Sequence, residues 1–198
     1  MTEISLFPLS SALVPYGLMP LQIFEQRYLD LVADSMRTGN GFGVVWLRQG
    51  SEISGGSVDT PHFGDYGTYA RIIDFDQLPN GLLGITIAGH ERFDVIDVWR
   101  EPSGLVKANV EMAPPLSKVA MRDEWQSLEI VLRGLENHPH VQRMNLSIDY
   151  ANAWEVAFHL VQLLPFEESI KYELLGIEDI DSLVAELDVL LNQISGEH

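Results

Sequence analysis

The opening of the chain is apolar but repeatedly broken by proline: Leu6-Phe7-Pro8-Leu9, then Val14-Pro15-Tyr16-Gly17, then Met19-Pro20-Leu21-Gln22-Ile23-Phe24. Proline lacks a backbone donor and clashes with the preceding helical turn, so this spacing forbids a helix. The pattern predicts two short extended pieces joined by a Pro15-Tyr16-Gly17 turn. A helix then opens near Glu25 and carries Tyr28, Leu29, Leu31, Val32 and Met36. Between 42 and 110 the β-branched and aromatic residues cluster into strands at 42–47, 68–75, 83–89 and 93–99. Pro79-Asn80-Gly81 supplies the positive φ that a tight hairpin requires. Short strands at this spacing suggest a small barrel or sandwich. Residues 49–67, with five glycines and Pro61, read as a long loop before the strand at Thr68.

After Pro114-Pro115 the period changes. Met121, Trp125, Leu128, Leu132 and Leu135 form one helical stripe, and Trp154, Ala157, Phe158, Val161 and Leu164 form a second that runs up to Pro165. A third carries Ile180, Leu183, Val184, Leu187, Leu190, Leu191 and Ile194, with Asp179 or Asp181 placed to cap its start. The stretch 137–147, which contains His138-Pro139-His140, reads as the loop between the first two of these helices.

Charge narrows the partners. Twelve basic residues stand against 29 acidic ones, giving a net charge of -17. That field repels phosphates and anionic headgroups, so neither nucleic acid nor membrane is an expected partner. There are no cysteines, which removes thiolate chemistry, disulfides and sulfur-ligated zinc. The start, Met1-Thr2-Glu3, lacks the basic opening of a signal peptide, and no apolar run is long enough to span a bilayer. A cytoplasmic protein is expected.

Several motifs together resemble one known family. The run ending Pro20-Leu21-Gln22-Ile23-Phe24-Glu25-Gln26-Arg27-Tyr28 is similar to the start of the LON domain, the amino-terminal substrate-handling region of ATP-dependent Lon proteases. There a Phe-Pro-Leu run precedes Pro-Leu-x-Ile-Phe-Glu-x-Arg-Tyr. Gly67-Thr68-Tyr69-Ala70-Arg71-Ile72 resembles the domain's Gly-Thr-x-Ala-x-Ile strand, and Leu78-Pro79-Asn80-Gly81 its following hairpin. Ile87-Ala88-Gly89-His90-Glu91-Arg92-Phe93 is similar to its Gly-x-x-Arg-Phe element. Leu163-Leu164-Pro165 with Lys171-Tyr172-Glu173-Leu174-Leu175 resembles its helical close. The resemblance covers nearly the whole chain. It implies an α+β fold, a PUA-like small β-barrel over 1–115 followed by a helical bundle over 116–198, together one LON domain. No Gly-x-x-x-x-Gly-Lys-Ser/Thr loop is present to hold nucleotide phosphates. A free-standing LON domain is therefore expected, without ATPase or protease parts.

The remaining chemistry is sparse. His62 has Asp59 and Asp65 nearby, and His138 and His140 flank a proline, but neither group has metal-ligand spacing. His90 beside Glu91 and Arg92, and His159 between Phe158 and Leu160, read as structural histidines. No serine sits in a Gly-x-Ser-x-Gly elbow, and the Glu167-Glu168 and Asp179-Asp181 pairs suit helix starts. No catalytic residue, metal or cofactor is expected. Arg27 is read as a brace between helix and strands through a carboxylate. The function implied by the resemblance is a non-catalytic module that binds polypeptide clients, unfolded or partly folded ones included. Its candidate contacts are Tyr16, Leu18 and Met19 in the proline-flanked turn and Phe63 and Tyr66 in the long loop, because aromatics and Met are adaptable anchors. The alternative is a small-molecule binder or an enzyme using a cleft between barrel and helices.

Overall fold

The proline-broken opening folds as two strands, β1 (Thr2–Leu9) and β2 (Leu18–Ile23), followed by α1 (Gln26–Thr38). The computed structural model describes residues 1–48 and 63–196. Pro20 is accommodated because, among the described residues, β2 pairs with a single neighbour, so a missing donor can face away from the ladder. After α1 come β3 (Phe42–Leu47), β4 (Phe63–Gln77), β5 (Leu83–Arg100) and β6 (Val106–Met112). These form one mixed sheet in the order β2-β5-β4-β3-β1-β6, with β5 also pairing β6. That last pairing joins β1, β3, β4, β5 and β6 into a closed circuit and leaves β2 outside it, on β5. β1 runs parallel to β3, with Leu6 opposite Gly43, and every other pairing is antiparallel.

Period-two alternation splits the apolar side chains between two cores. Phe7, Phe42, Val44, Ile85 and Ile87 join Leu31 and Val32 of α1 in one cluster. The adjacent residues Leu6 and Val45 join Phe93, Val106, Ala108 and Val110 in the other. Each fully buried side chain of this size contributes about 1.5–3 kcal/mol through its removal from water. α1 ends in a left-handed Gly39 (φ 73) whose N–H returns to the Ser35 carbonyl.

The connection between β1 and β2 is pinned from below. Buried Thr68 donates through Oγ1 to the Leu13 carbonyl at 2.6 Å, and the Tyr16 N–H donates to the Gly89 carbonyl at 3.0 Å. Gly89 permits this approach, since a Cβ there would stand 2.1 Å from the Val14 oxygen. The β4–β5 hairpin turns at Pro79-Asn80-Gly81 with Gly81 at φ +82, as the dipeptide predicts.

Two expectations for this half are corrected. The strands expected at 83–89 and 93–99 are one strand, because β4 absorbs the polar His90-Glu91-Arg92 step with a register shift between Thr68 and Ala70. Residues 63–67, expected in the loop, begin β4: Phe63 pairs with Leu47 and Gly67 with Val45. The rest of that loop, with His62 and Asp59, lies outside the described residues. β6 was not singled out in the sequence, though its buried alternation at Val106, Ala108 and Val110 is clear.

The chain divides into two compact units, Met1–Pro115 and Leu116–His198. The second contains α2 (Gln126–Glu136), α3 (Pro139–Met144), α4 (Ala153–Leu163), α5 (Glu168–Leu175) and α6 (Ile180–Gly196). α4 is its axis: Trp154, Val156, Ala157, Phe158, Leu160 and Val161 are all buried, and the Trp154 and Phe158 rings stack at 5.7 Å. Trp125, Leu128, Leu132, Leu183, Val184 and Leu187 supply buried faces, as the stripes predict. Asp179 accepts from the Ser182 N–H at 2.8 Å and caps α6. Met121 precedes the first helix, which opens with a 3-10 turn at Asp123–Trp125. The stretch 137–147 is not all loop: Pro139 occupies the first turn of α3, and His138 Nδ1 accepts from the His140 N–H at 3.2 Å.

Candidate functional site

The segment from β2 into α1 lines a groove in the first unit. Phe7, Pro8 and Leu9 of β1 contribute to it, with Leu21, Gln22 and Ile23 of β2, then Phe24, Glu25, Arg27 and Tyr28. Ser10, Leu47, Arg100 and Val106 complete the lining around a volume of about 440 Å³. Its base is an aromatic stack, with the Phe7 and Tyr28 rings 4.1 Å apart and 11° from parallel. Phe24 stands at its side and is 69% exposed, a large apolar ring facing water. The helix start explains this placement: Glu25 is the extended residue before α1, so the chain turns there and Phe24 leaves the strand without entering the helix.

Charge at the groove is already committed. Arg27 Nε donates to Glu25 at 2.7 Å, and its Nη1 donates to the Gly104 carbonyl at 2.9 Å. Arg27 therefore braces α1 against the β5–β6 turn through a carbonyl, with the carboxylate supplied by its own neighbour Glu25. Its guanidinium also lies 4.8 Å from the Tyr28 ring centre. Burial pushes the Tyr28 hydroxyl above its ordinary pKa against the pull of Arg27. The groove offers an apolar base, a neutral hydroxyl, a clamped ion pair and, at its edge, Arg100, whose Nη1 lies 3.4 Å from the Gly104 carbonyl, a lining suited mainly to apolar side chains.

A second recess of about 280 Å³ shares Leu21 and Gln22 with the first. Pro20, Leu78, Gly84, Ile85 and Thr86 line it together with Asp74, Phe75 and Asp76. Phe75 is 58% exposed between its two carboxylates. Leu78 lies over Gly84, where a Cβ would meet it at 2.8 Å.

The residues singled out in the sequence do not form one cluster. Tyr16, with φ 63, is half-buried beside the start of β2, and Leu18 and Met19 open that strand opposite Ala88 and Ile87. Met19 packs on the α1-side core. Phe63 packs on the other core, and Tyr66 faces Asp94 on β5. The partners Ile87 and Asp94 stand seven positions apart on β5, roughly 23 Å along a strand. Phe24, Gln22, Asp74 and Phe75 were missed. An exposed aromatic between two aspartates was the one local signal. Among the described residues no group of His, Asp or Glu converges to hold a metal, and no helix is long and apolar enough to cross a membrane.

Comparison with known proteins places this architecture. Residues 3–193 match the family described as the ATP-dependent protease La (LON) substrate-binding domain. The crystal structure of a Lon N-terminal domain protein from Xanthomonas campestris is 34% identical and superposes with a TM-score of 0.75, over 96% of this chain and 98% of that one. The N-terminal domain of the Mycobacterium avium complex Lon protease shares the fold at 13% identity, with a TM-score of 0.62 over the full length of both. The Lon protease of Anaeromyxobacter dehalogenans is 28% identical over 110 residues, which is 56% of this chain and 13% of that protein. Lon protease 2 of Myxococcus xanthus is 29% identical over 102 residues, 52% of this chain and 12% of that protein. The matches thus span about an eighth of the length of these curated relatives.

Proposed function

Because the chain belongs to the LON substrate-binding domain family, we propose that it is a non-catalytic module that captures segments of other polypeptides on the groove beside β2. The observation that carries this reading is the groove itself: mainly apolar walls around about 440 Å³, with the Phe24 ring presented to solvent at its side. A space of that size admits one bulky apolar side chain, and exposed aromatics are the residues that anchor such contacts. Folded proteins bury these side chains and unfolded ones display them, so the groove selects unfolded clients. Tyr16, Leu18 and Met19, at and just before the start of β2, are proposed as further contacts along the same strand. Phe63 and Tyr66 on β4 are proposed as a separate flanking contact.

The experiment is equilibrium binding of the full chain to fluorescein-labelled lysozyme, once native and once reduced and carboxamidomethylated. Capture of the unfolded form alone is expected, without nucleotide and without cleavage. Equal binding of both forms, or of neither, would remove the proposal.

A further inference from the structure

β2 has a neighbour on one side only: among the described residues it pairs with β5 and with no other strand. The Gly89 N–H donates to the Gly17 carbonyl at 2.9 Å, so odd-numbered residues of this segment turn their peptide groups toward β5. Alternation then directs those of Pro20 and Gln22 outward. Proline agrees, since within a strand its nitrogen is tolerated only on the open side. The outward edge accordingly presents the Pro20 carbonyl and the Gln22 N–H and carbonyl. One recess flanks Leu21 and Gln22 with mainly apolar walls that also carry the Glu25–Arg27 pair and Arg100, and the other flanks the same two residues with Asp74 and Asp76 and with no basic residue in its lining.

We propose that a client binds as an added strand on β2, placing a bulky apolar side chain in the groove and the adjacent lysine or arginine in the recess of Asp74 and Asp76. This rests on the capture of polypeptides proposed above and specifies its geometry and its sequence preference. Successive side chains of a strand point to opposite faces, so neighbouring client residues reach the two recesses. Backbone hydrogen bonds to the edge hold the segment whatever its sequence, and the recesses select among sequences. The carboxylates choose the sign: in a chain of net charge -17, a cation beside Asp74 and Asp76 is attracted and an anion repelled. The absent donor at Pro20 also leaves the edge a poor template for a second copy of itself.

The test measures affinity of the full chain for two short fluorescein-labelled peptides, alternating Phe-Lys and alternating Phe-Glu. Wild type is expected to prefer Phe-Lys by about tenfold or more, with the preference shrinking in high salt. Gln22→Pro removes the outward N–H together with a side chain that lines both recesses, so Gln22→Ala, which removes the side chain alone, is its control: Gln22→Pro should weaken Phe-Lys binding about tenfold relative to Gln22→Ala while the thermal melt stays in place. Asp74→Asn with Asp76→Asn, both at exposed positions, should abolish the preference between the peptides and guards against a folding defect in the first variant. Wild-type affinity in both variants, equal affinity for the two peptides, or Gln22-dependent self-association in their place would overturn the inference even if unfolded lysozyme is still captured. Failure to capture unfolded lysozyme would instead remove the functional reading, and this inference with it.

Discussion

Replacing Phe24 with serine separates binding from folding because the ring is already 69% exposed. Full burial of a phenylalanine side chain is worth about 1.5–3 kcal/mol. The folded chain therefore draws on only about a third of that, so Phe24→Ser should cost less than about 1 kcal/mol of stability and lower Tm by no more than about 5 °C. A client that covers the ring gains the remainder, about 1–2 kcal/mol, which corresponds to a loss of about fivefold to thirtyfold in affinity on substitution. The assay pairs anisotropy titration with unfolded lysozyme against a thermal melt followed by circular dichroism. Unchanged affinity would show that clients do not cover Phe24. A fall in Tm well beyond 5 °C would show that the ring supports the fold, which its exposure contradicts.

Met19 and Phe63, proposed contacts that also pack on a core cluster, differ from Phe24 in stability: Met19→Ser and Phe63→Ser should each lower the urea midpoint, and a stable double variant would refute that packing. Trp154→Ala, which deletes a buried ring stacked on Phe158, should cost about 3–5 kcal/mol in chemical denaturation, and a loss below about 1 kcal/mol would contradict its burial. His159 donates from Nδ1 to the Glu155 carbonyl at 2.7 Å, and burial lowers its pKa, so the fold holds it neutral. Its unfolded form takes up a proton near pH 6.5, so stability is complete above that pH and declines as pH falls toward the lowered folded value. Urea midpoints between pH 8 and 5 should drop more steeply for wild type than for His159→Gln; parallel curves would contradict the assignment.

Much of the fold was legible where one residue type has one physical consequence. Pro8 and Pro20 marked extended chain, Asn80-Gly81 marked a hairpin, and the Trp154 to Leu164 stripe marked a helix that the structure buries. Elements were misread where local polarity masked a tertiary partner. His90-Glu91-Arg92 looked like a break, yet pairing across a bulge carries β5 through it. Phe63 and Gly67 looked like loop, yet pairing with β3 makes them strand. His138 seemed to lie in a linker until its ring was seen to cap α3. The groove was less accessible still. Its walls come from Phe7, Leu21, Tyr28, Leu47, Arg100 and Val106, which lie far apart in sequence and meet only when β2 and α1 pack beside the closed strand circuit. Phe24 is indistinguishable from a core residue in sequence, because its exposure follows from the turn into α1 and not from its type.

The most direct test of polypeptide capture on the β2 groove is amide-resolved hydrogen exchange on the full chain, alone and saturated with unfolded lysozyme. Protection that rises at Gln22 and Phe24 and in the Asp74-Phe75-Asp76 segment, with the helices after Leu116 unchanged, is the predicted result. Protection confined to the helices, or no change at saturation, would contradict the account.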